Sequence, residues 1–250
     1  MGWRAVFGRL EQIPAARFSR VARWAPPVPA RLRPTAPIAA DAILVGDPGR
    51  ALMLAQELLT EPKMSNHARG LWGYSGRTPA GGELTIQSTG MGGPSAAVVL
   101  ADLAKLGLRR AVRVGTCAAI DPSTEAGELL VAKRAIAAGG SAAPFGVPPG
   151  GGALPDAGMT AALAQGLGEA ARTVAVASFD APGEGGEAPD DIVAADMQTA
   201  TLLARGASLG IAVAAVLIVE RSAGGERIDD EALEAAARRA GRAAARLLST

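Results

Sequence analysis

From residue 42 onward, short runs dense in Val and Ile alternate with Ala- and Leu-rich stretches of helical length. That alternation restricts the chain to an α/β architecture, because each period-two run needs neighbouring strands and each helical stretch needs a sheet face to cover. The pattern predicts strands at Ala42–Val45, Glu83–Ser88, Ala111–Val114, Glu128–Ile136, Arg172–Ala177 and Ile211–Val219. Helices are predicted at Gly49–Thr60, Pro94–Leu106, Ala157–Ala171, Asp196–Leu209 and Asp229–Leu248. The last helix is the best signalled. Asp229, Asp230 and Glu231 sit at its positive end, and Arg238, Arg239, Arg242 and Arg246 lie toward its negative end. Gly- and Pro-crowded stretches, Gly139–Pro155 and Gly183–Pro189, read as loops beyond strand ends, where substrate specificity is expected to be set.

Composition removes several classes of chemistry. The lone Cys117 allows neither an internal disulfide nor a multi-cysteine metal site, which fits a reducing, cytoplasmic setting. With His67 as the sole histidine, a metal cluster or a Ser-His-Asp hydrolase has little to build on, so carboxylates and arginines must carry any reaction. No run of eighteen apolar residues occurs; the richest stretch is Leu209–Val219.

The net charge of +1 hides an asymmetry. Residues 1–35 hold seven arginines against Glu11, a local charge of +6 that leaves the remainder near −5. A membrane-surface helix, a nucleic-acid arm and a targeting peptide all share that balance, but a solvated or docked extension is the expectation, with neither nucleic acid nor membrane as partner. Pro26, Pro27, Pro29, Pro34 and Pro37 make a stiff spacer. The organisation expected is therefore a basic, Pro-rich extension over residues 1–40 and one α/β domain over 41–250.

Three strand ends carry residues suited to an anion. Gly46-Asp47-Pro48-Gly49-Arg50 follows the first strand: Gly46 permits close backbone approach, the helix start offers N–H groups, and Arg50 supplies a planar fork for two oxygens. Ser88-Thr89-Gly90-Met91-Gly92-Gly93-Pro94-Ser95 lies between a strand and a helix. Gly90–Gly93 are suited to lining a ligand and Ser95 to capping. The third is Arg113-Val114-Gly115-Thr116-Cys117-Ala118, read as a turn closing a strand, in which Arg113 must meet either a bound anion or a structural carboxylate.

In order and spacing these turns resemble the nucleoside phosphorylase family that includes hexameric purine nucleoside phosphorylase and uridine phosphorylase. Ser88–Leu103 resembles its signature segment, with Asp102 in place of glutamate, and Arg69-Gly70-Leu71-Trp72-Gly73-Tyr74-Ser75-Gly76 resembles the purine branch. The resemblance implies a single three-layer domain with a central mixed, twisted, partly barrel-like sheet flanked by helices. It implies phosphate binding by Gly46, Arg50, Arg113 and Thr116, with Arg69 reaching in from an adjacent protomer, so that Arg50, Arg69 and Arg113 converge on one oxyanion. Ribose and base contacts are implied for Thr89, Gly90, Met197, Gln198 and Asp180, and catalytic roles for Glu220 as acid and Arg221 as its partner or a contact to the base. The activity implied is phosphate-dependent cleavage of a nucleoside to free base and pentose 1-phosphate. It needs no metal and no cofactor beyond inorganic phosphate as co-substrate. The oligomer implied is a dimer, or a hexamer of dimers, with shared active sites.

The chain departs from the family at the sugar and base. Gln198 replaces a carboxylate, and an amide accepts a hydrogen bond but adds no negative charge to an oxocarbenium-like transition state, which implies lower activity or a different sugar. Pro182 stands about where an aromatic ring stacks on the base, and His67 reads as a surface or interface residue rather than a catalytic one. Two alternatives stay open: a hydrolytic nucleosidase, and a non-catalytic protein binding a nucleoside or sugar phosphate on the same scaffold.

Overall fold

The computed structural model describes residues 31–182 and 191–249. Residues 1–30 of the extension and the loop Gly183–Pro189 fall outside the described residues. Ten strands form one mixed sheet: β1 Asp41–Val45, β2 Thr60–Asn66, β3 Gly73–Arg77, β4 Glu83–Ser88, β5 Arg110–Ala119, β6 Leu129–Ala137, β7 Gly152–Ala153, β8 Ala171–Ser178, β9 Ile192–Asp196 and β10 Ala212–Arg221. The helices are α1 Pro48–Leu58, α2 Gly92–Lys105, α3 Ala157–Leu167, α4 Thr199–Leu209 and α5 Asp230–Leu248.

The strand order is β10-β6-β8-β9-β5-β1-β4-β3-β2, and β10 also pairs with β5. That extra pairing closes β10, β6, β8, β9 and β5 into a ring, while β1, β4, β3 and β2 extend from it as an open wing. The sheet is thus partly barrel-like and mixed, as the resemblance implies. Its central strands pair in parallel, β1 with both β4 and β5, and β5 with β10, so their carboxyl ends point the same way. Ligands in such sheets gather beyond the carboxyl ends of the strands.

Two apolar layers separate the sheet from its helices. One packs α2 and α4 against one face through Ala96, Leu100, Leu103, Leu202 and Leu203. The other packs α1, α3 and α5 against the opposite face through Leu54, Leu58, Leu163, Ala237 and Ala244. Small residues bring α5 close: Gly241 faces Leu54 of α1, where an added Cβ would stand 2.7 Å from a leucine methyl. At their exposed rim Arg238 and Arg242 of α5 clasp Glu57 of α1. The Asp229 carboxylate caps α5 by accepting the Ala232 N–H at 2.7 Å.

Several boundaries differ from the sequence reading. β5 does not turn after Val114 but runs ten residues through Gly115 and Thr116 to Ala119. Asp196 does not open a helix; it ends β9, and α4 starts at Thr199. Residues 31–40 are docked on the domain, with Leu32 1% exposed and the Arg31 and Leu32 N–H groups donating to the buried Asp102 carboxylate at 2.6 and 3.0 Å. The loop Gly139–Pro155 contains β7 and is pinned to α4, where the Ser141 and Thr201 hydroxyls bond at 2.7 Å and Arg205 covers the Phe145 ring. No helix among the described residues is long and apolar enough to cross a membrane.

Candidate anion and ribose site

The turn Gly46–Arg50 sits where β1 hands over to α1. Asp47 is the N-cap, Pro48 takes the first helical position where its missing N–H is harmless, and the Asp47 carboxylate accepts the Arg50 N–H at 2.7 Å. One of the helix-start N–H groups expected to face an anion is therefore already used. The Arg50 side chain has no carboxylate within ion-pairing distance among the described residues. Desolvation pulls its guanidinium below the ordinary arginine value; Asp47 and Glu220 oppose this and Arg113 adds to it. A largely desolvated guanidinium without an ion pair is a candidate contact for an anion.

Arg113, on β5, is 4% exposed and engaged on three sides. It donates from Nη2 to Asp196 Oδ2 at 2.8 Å, from Nη1 to Gln198 Oε1 at 2.7 Å and from Nε to Thr199 Oγ1 at 3.1 Å. Asp196 is the hub of this cluster. It also accepts from the Ser178 hydroxyl, from the Thr199 hydroxyl at 2.6 Å and from the Thr199 N–H. Of the two partners open to Arg113 in the sequence, a structural carboxylate is the one present. Three of its five N–H groups are spent, leaving two for a ligand.

Gly115 explains why this arrangement fits inside a strand. A Cβ there would lie 2.5 Å from the Arg113 guanidinium carbon, so only glycine lets the side chain fold back along its own strand. Gly115→Ala is expected to lower stability by about 1–3 kcal/mol through overpacking, read as a lower denaturant midpoint.

The signature segment closes over the cluster. Thr89, fully buried, has its hydroxyl 3.0 Å from the Val45 carbonyl and 3.1 Å from Gln198 Oε1, so its single proton is shared between two acceptors. Gly90 and Gly92 adopt φ of +71° and +77°, which glycine reaches without strain. Their carbonyls accept from Gln198 Nε2 at 2.6 and 3.2 Å. Ser95 does not cap α2 but donates to the Thr89 carbonyl at 2.6 Å. The Gln198 amide thus donates twice to backbone carbonyls and accepts from Arg113, with the Thr89 hydroxyl as a shared second donor, so a ribose hydroxyl at its oxygen competes with Thr89.

The remaining residues divide by location. Glu220 lies at a bulge near the end of β10 and is close enough to Arg50 to act on its charge. Its carboxylate pairs with Arg227 at 2.9 Å, not with Arg221. Arg221 is exposed and donates to the Gly225 carbonyl of its own hairpin. Thr116 and Met197 are partly buried on β5 and just after β9. Cys117 is buried beside this cluster, where burial and the charge of Asp196 push its thiol up and keep it inert. Asp180 accepts the Gly140 N–H at 2.7 Å and so anchors the 139–155 loop. Arg69 and His67 are exposed and line a surface cavity that neither Arg50 nor Arg113 lines. No group of His, Cys, Asp and Glu suited to a metal occurs among the described residues.

The sequence reading missed Asp196, Ser178 and Thr199 as the frame that orients Arg113. The only signal was an acid followed by Met-Gln-Thr after the apolar run Ile192–Ala195.

A family model described as the phosphorylase superfamily matches residues 41–250. The chain is 38% identical over 99 residues to a DeoD-type purine nucleoside phosphorylase of Oceanobacillus iheyensis, a stretch covering 39% of this chain and 42% of that protein. It is 34% identical over 105 residues to the DeoD-type enzyme of Clostridium novyi, covering 42% and 45%. The alignments thus span less than half the length of these relatives. Among solved structures, uridine phosphorylase from Vibrio fischeri in complex with 6-hydroxy-1-naphthoic acid superposes with a TM-score of 0.74 at 22% identity, covering 84% of this chain and 91% of that one. At that identity the likeness concerns the fold.

Proposed function

Because the chain belongs to the phosphorylase superfamily as a member of the nucleoside phosphorylase family, we propose that it cleaves a nucleoside with inorganic phosphate, releasing the base and a pentose 1-phosphate. The observation that carries this reading is Arg50, a desolvated guanidinium with no ion pair, beside Arg113 at a glycine-led helix start. A hydrolytic nucleosidase uses water and gains nothing from an unpaired Arg50 guanidinium, whereas a phosphate dianion meets the Arg50 fork and the two N–H groups that Arg113 has left.

In this scheme Gly46, Arg50 and Thr116 hold phosphate, and Arg113 contributes its two unused N–H groups. The Asp196 frame fixes the Arg113 plane, so the anion is positioned before the glycosidic bond loosens. Positive charge then grows on the sugar ring, and phosphate adds to the anomeric carbon as the base leaves. Glu220 lies near Arg50 and is the group proposed to serve the departing base, for which it must first release Arg227. Met197 and Asp180 are assigned to the sugar and base side, and Arg221 to the rim. Arg69 is assigned to a neighbouring protomer's site, which makes the active form an oligomer. Incubation with a panel of purine and pyrimidine nucleosides tests the assignment: base release should require phosphate and should yield a pentose 1-phosphate.

The Gln198 amide, both of whose donors are used within the protein, favours a second reading, in which the scaffold binds a nucleoside or sugar phosphate without turning it over. A Gln198→Glu side chain cannot donate to Gly90 and Gly92, so the half-buried Gly90 and buried Gly92 carbonyls would lose their partner and face a negative charge. Stability is expected to fall by about 1–3 kcal/mol in a denaturant melt. Ribonucleoside turnover is expected to rise as the freed carboxylate meets the sugar hydroxyls. Turnover in the variant alone, with none in the natural chain, would favour the binding-protein reading.

A further inference from the structure

Arg69 sits in the short turn Ala68–Gly70 with φ at +62°, a conformation that a non-glycine residue keeps only when its surroundings require it. Its side chain is exposed, so the constraint comes from buried groups on either side of the turn.

Asn66, fully buried at the end of β2, holds the turn from one side. Its Nδ2 donates to the carbonyls of Ala68 and Leu71, while its Oδ1 accepts the Arg33 N–H at 2.8 Å. Gln87, fully buried on β4, holds the turn from the other side. Its Nε2 lies 2.9 Å from the carbonyls of Leu71 and Ser88 and 3.3 Å from that of Trp72, so two protons are shared among three acceptors. The Leu71 carbonyl is thereby held by both amides. Asn66 is the one that reaches the docked segment, which is itself fastened to β2 by Thr35, through its N–H to the Ser65 carbonyl at 2.8 Å and its hydroxyl to the Met64 carbonyl at 2.9 Å.

We infer that Asn66 is a positioning residue for phosphate: through it the docked segment fixes the turn that presents Arg69 to the anion of a neighbouring protomer. The inference rests on the proposed assignment of Arg69 to that anion. An arginine that meets an oxyanion loses backbone and rotamer freedom, and a turn already locked by buried amides removes the backbone share of that cost.

Calorimetric titration of the full chain with inorganic phosphate, beside the phosphate KM and a thermal melt, tests the inference as a double-mutant cycle. Asn66→Asp keeps the acceptor for the Arg33 N–H and loses both donors to the turn. Phosphate affinity should fall about tenfold and the phosphate KM should rise in step, with kcat little changed. In an Arg69→Ala background the same change should leave phosphate affinity level, although its cost in melting temperature persists. A second pair decides the matter if Asn66→Asp does not fold. Arg33→Ala removes only an exposed cation, whereas Arg33→Pro also removes the N–H that Asn66 accepts. The proline variant should bind phosphate several-fold more weakly than the alanine variant, and Arg69→Ala should abolish that difference. Natural phosphate affinity in Arg69→Ala would remove Arg69 from the anion site and the inference with it, leaving the roles of Arg50 and Arg113 untouched. Weakened binding in Arg69→Ala, with natural affinity in Asn66→Asp and equal affinities in the two Arg33 variants, would overturn the inference alone. So would an equal loss from Asn66→Asp with and without Arg69, the mark of a purely structural role.

Discussion

Asp196→Ala is expected to destabilise the protein by about 3–5 kcal/mol, which for a chain of this size lowers the melting temperature by roughly 6–20 °C. Asp196 has a fully buried side chain and carries the charge that offsets Arg113, itself 5% exposed at the side chain. Removing one member of a buried pair leaves the other charge in a medium that cannot solvate it. The loss extends beyond the pair, because the Ser178 and Thr199 hydroxyls and the Thr199 N–H lose their acceptor together. Double substitution of Asp196 and Arg113 by apolar residues of similar volume should recover much of that stability, though not activity. A single variant within about 0.5 kcal/mol of the natural chain in thermal denaturation would mean that the cluster is not the frame described.

Arg50→Gln should do the reverse. Its guanidinium is desolvated but breaks no ion pair on removal, so stability should stay level or rise slightly. If Arg50 holds the attacking anion, kcat/KM for phosphate should drop on the order of a hundred- to a thousandfold, as when a preorganised donor to a reacting oxyanion is lost. Steady-state rates at varied phosphate, beside a melt of the same variant, separate the two effects. The contrast between the two sites is the main energetic point. Position 196 supports the fold that aims Arg113, whereas position 50 makes no ion pair among the described residues.

How far these features could be read in advance depended on how local they are. The turn at Gly46–Arg50 was legible because an Asp cap followed by Pro at the first helical position acts over five residues. β1 and β10 were legible from dense Val, Ile and Leu, and β4 from Leu84 and Ile86 alternating with polar residues. β2 and β3, with sequences TEPKMSN and GYSGR, were not: they form the exposed wing of the sheet, where solvated residues replace alternation. The course of β5 past Val114 was misread because Arg113 and Gly115 resemble a turn. Their compatibility with a strand depends on a guanidinium folding over a missing Cβ. The Arg113 cluster joins residues 83 to 86 positions apart, and Thr89 to Gln198 spans 109. No window of sequence holds both ends of such bonds, so the cation was visible and its counter-charge was not.

The most direct test of the phosphorolytic reading is to run the reaction in water labelled with oxygen-18, with unlabelled inorganic phosphate and a nucleoside that the panel identifies as substrate. The proposed chemistry leaves solvent oxygen out of the sugar product, so mass spectrometry should find an unlabelled pentose 1-phosphate whose yield follows phosphate concentration. Free pentose carrying the label at its anomeric oxygen, formed at the same rate without phosphate, would contradict it.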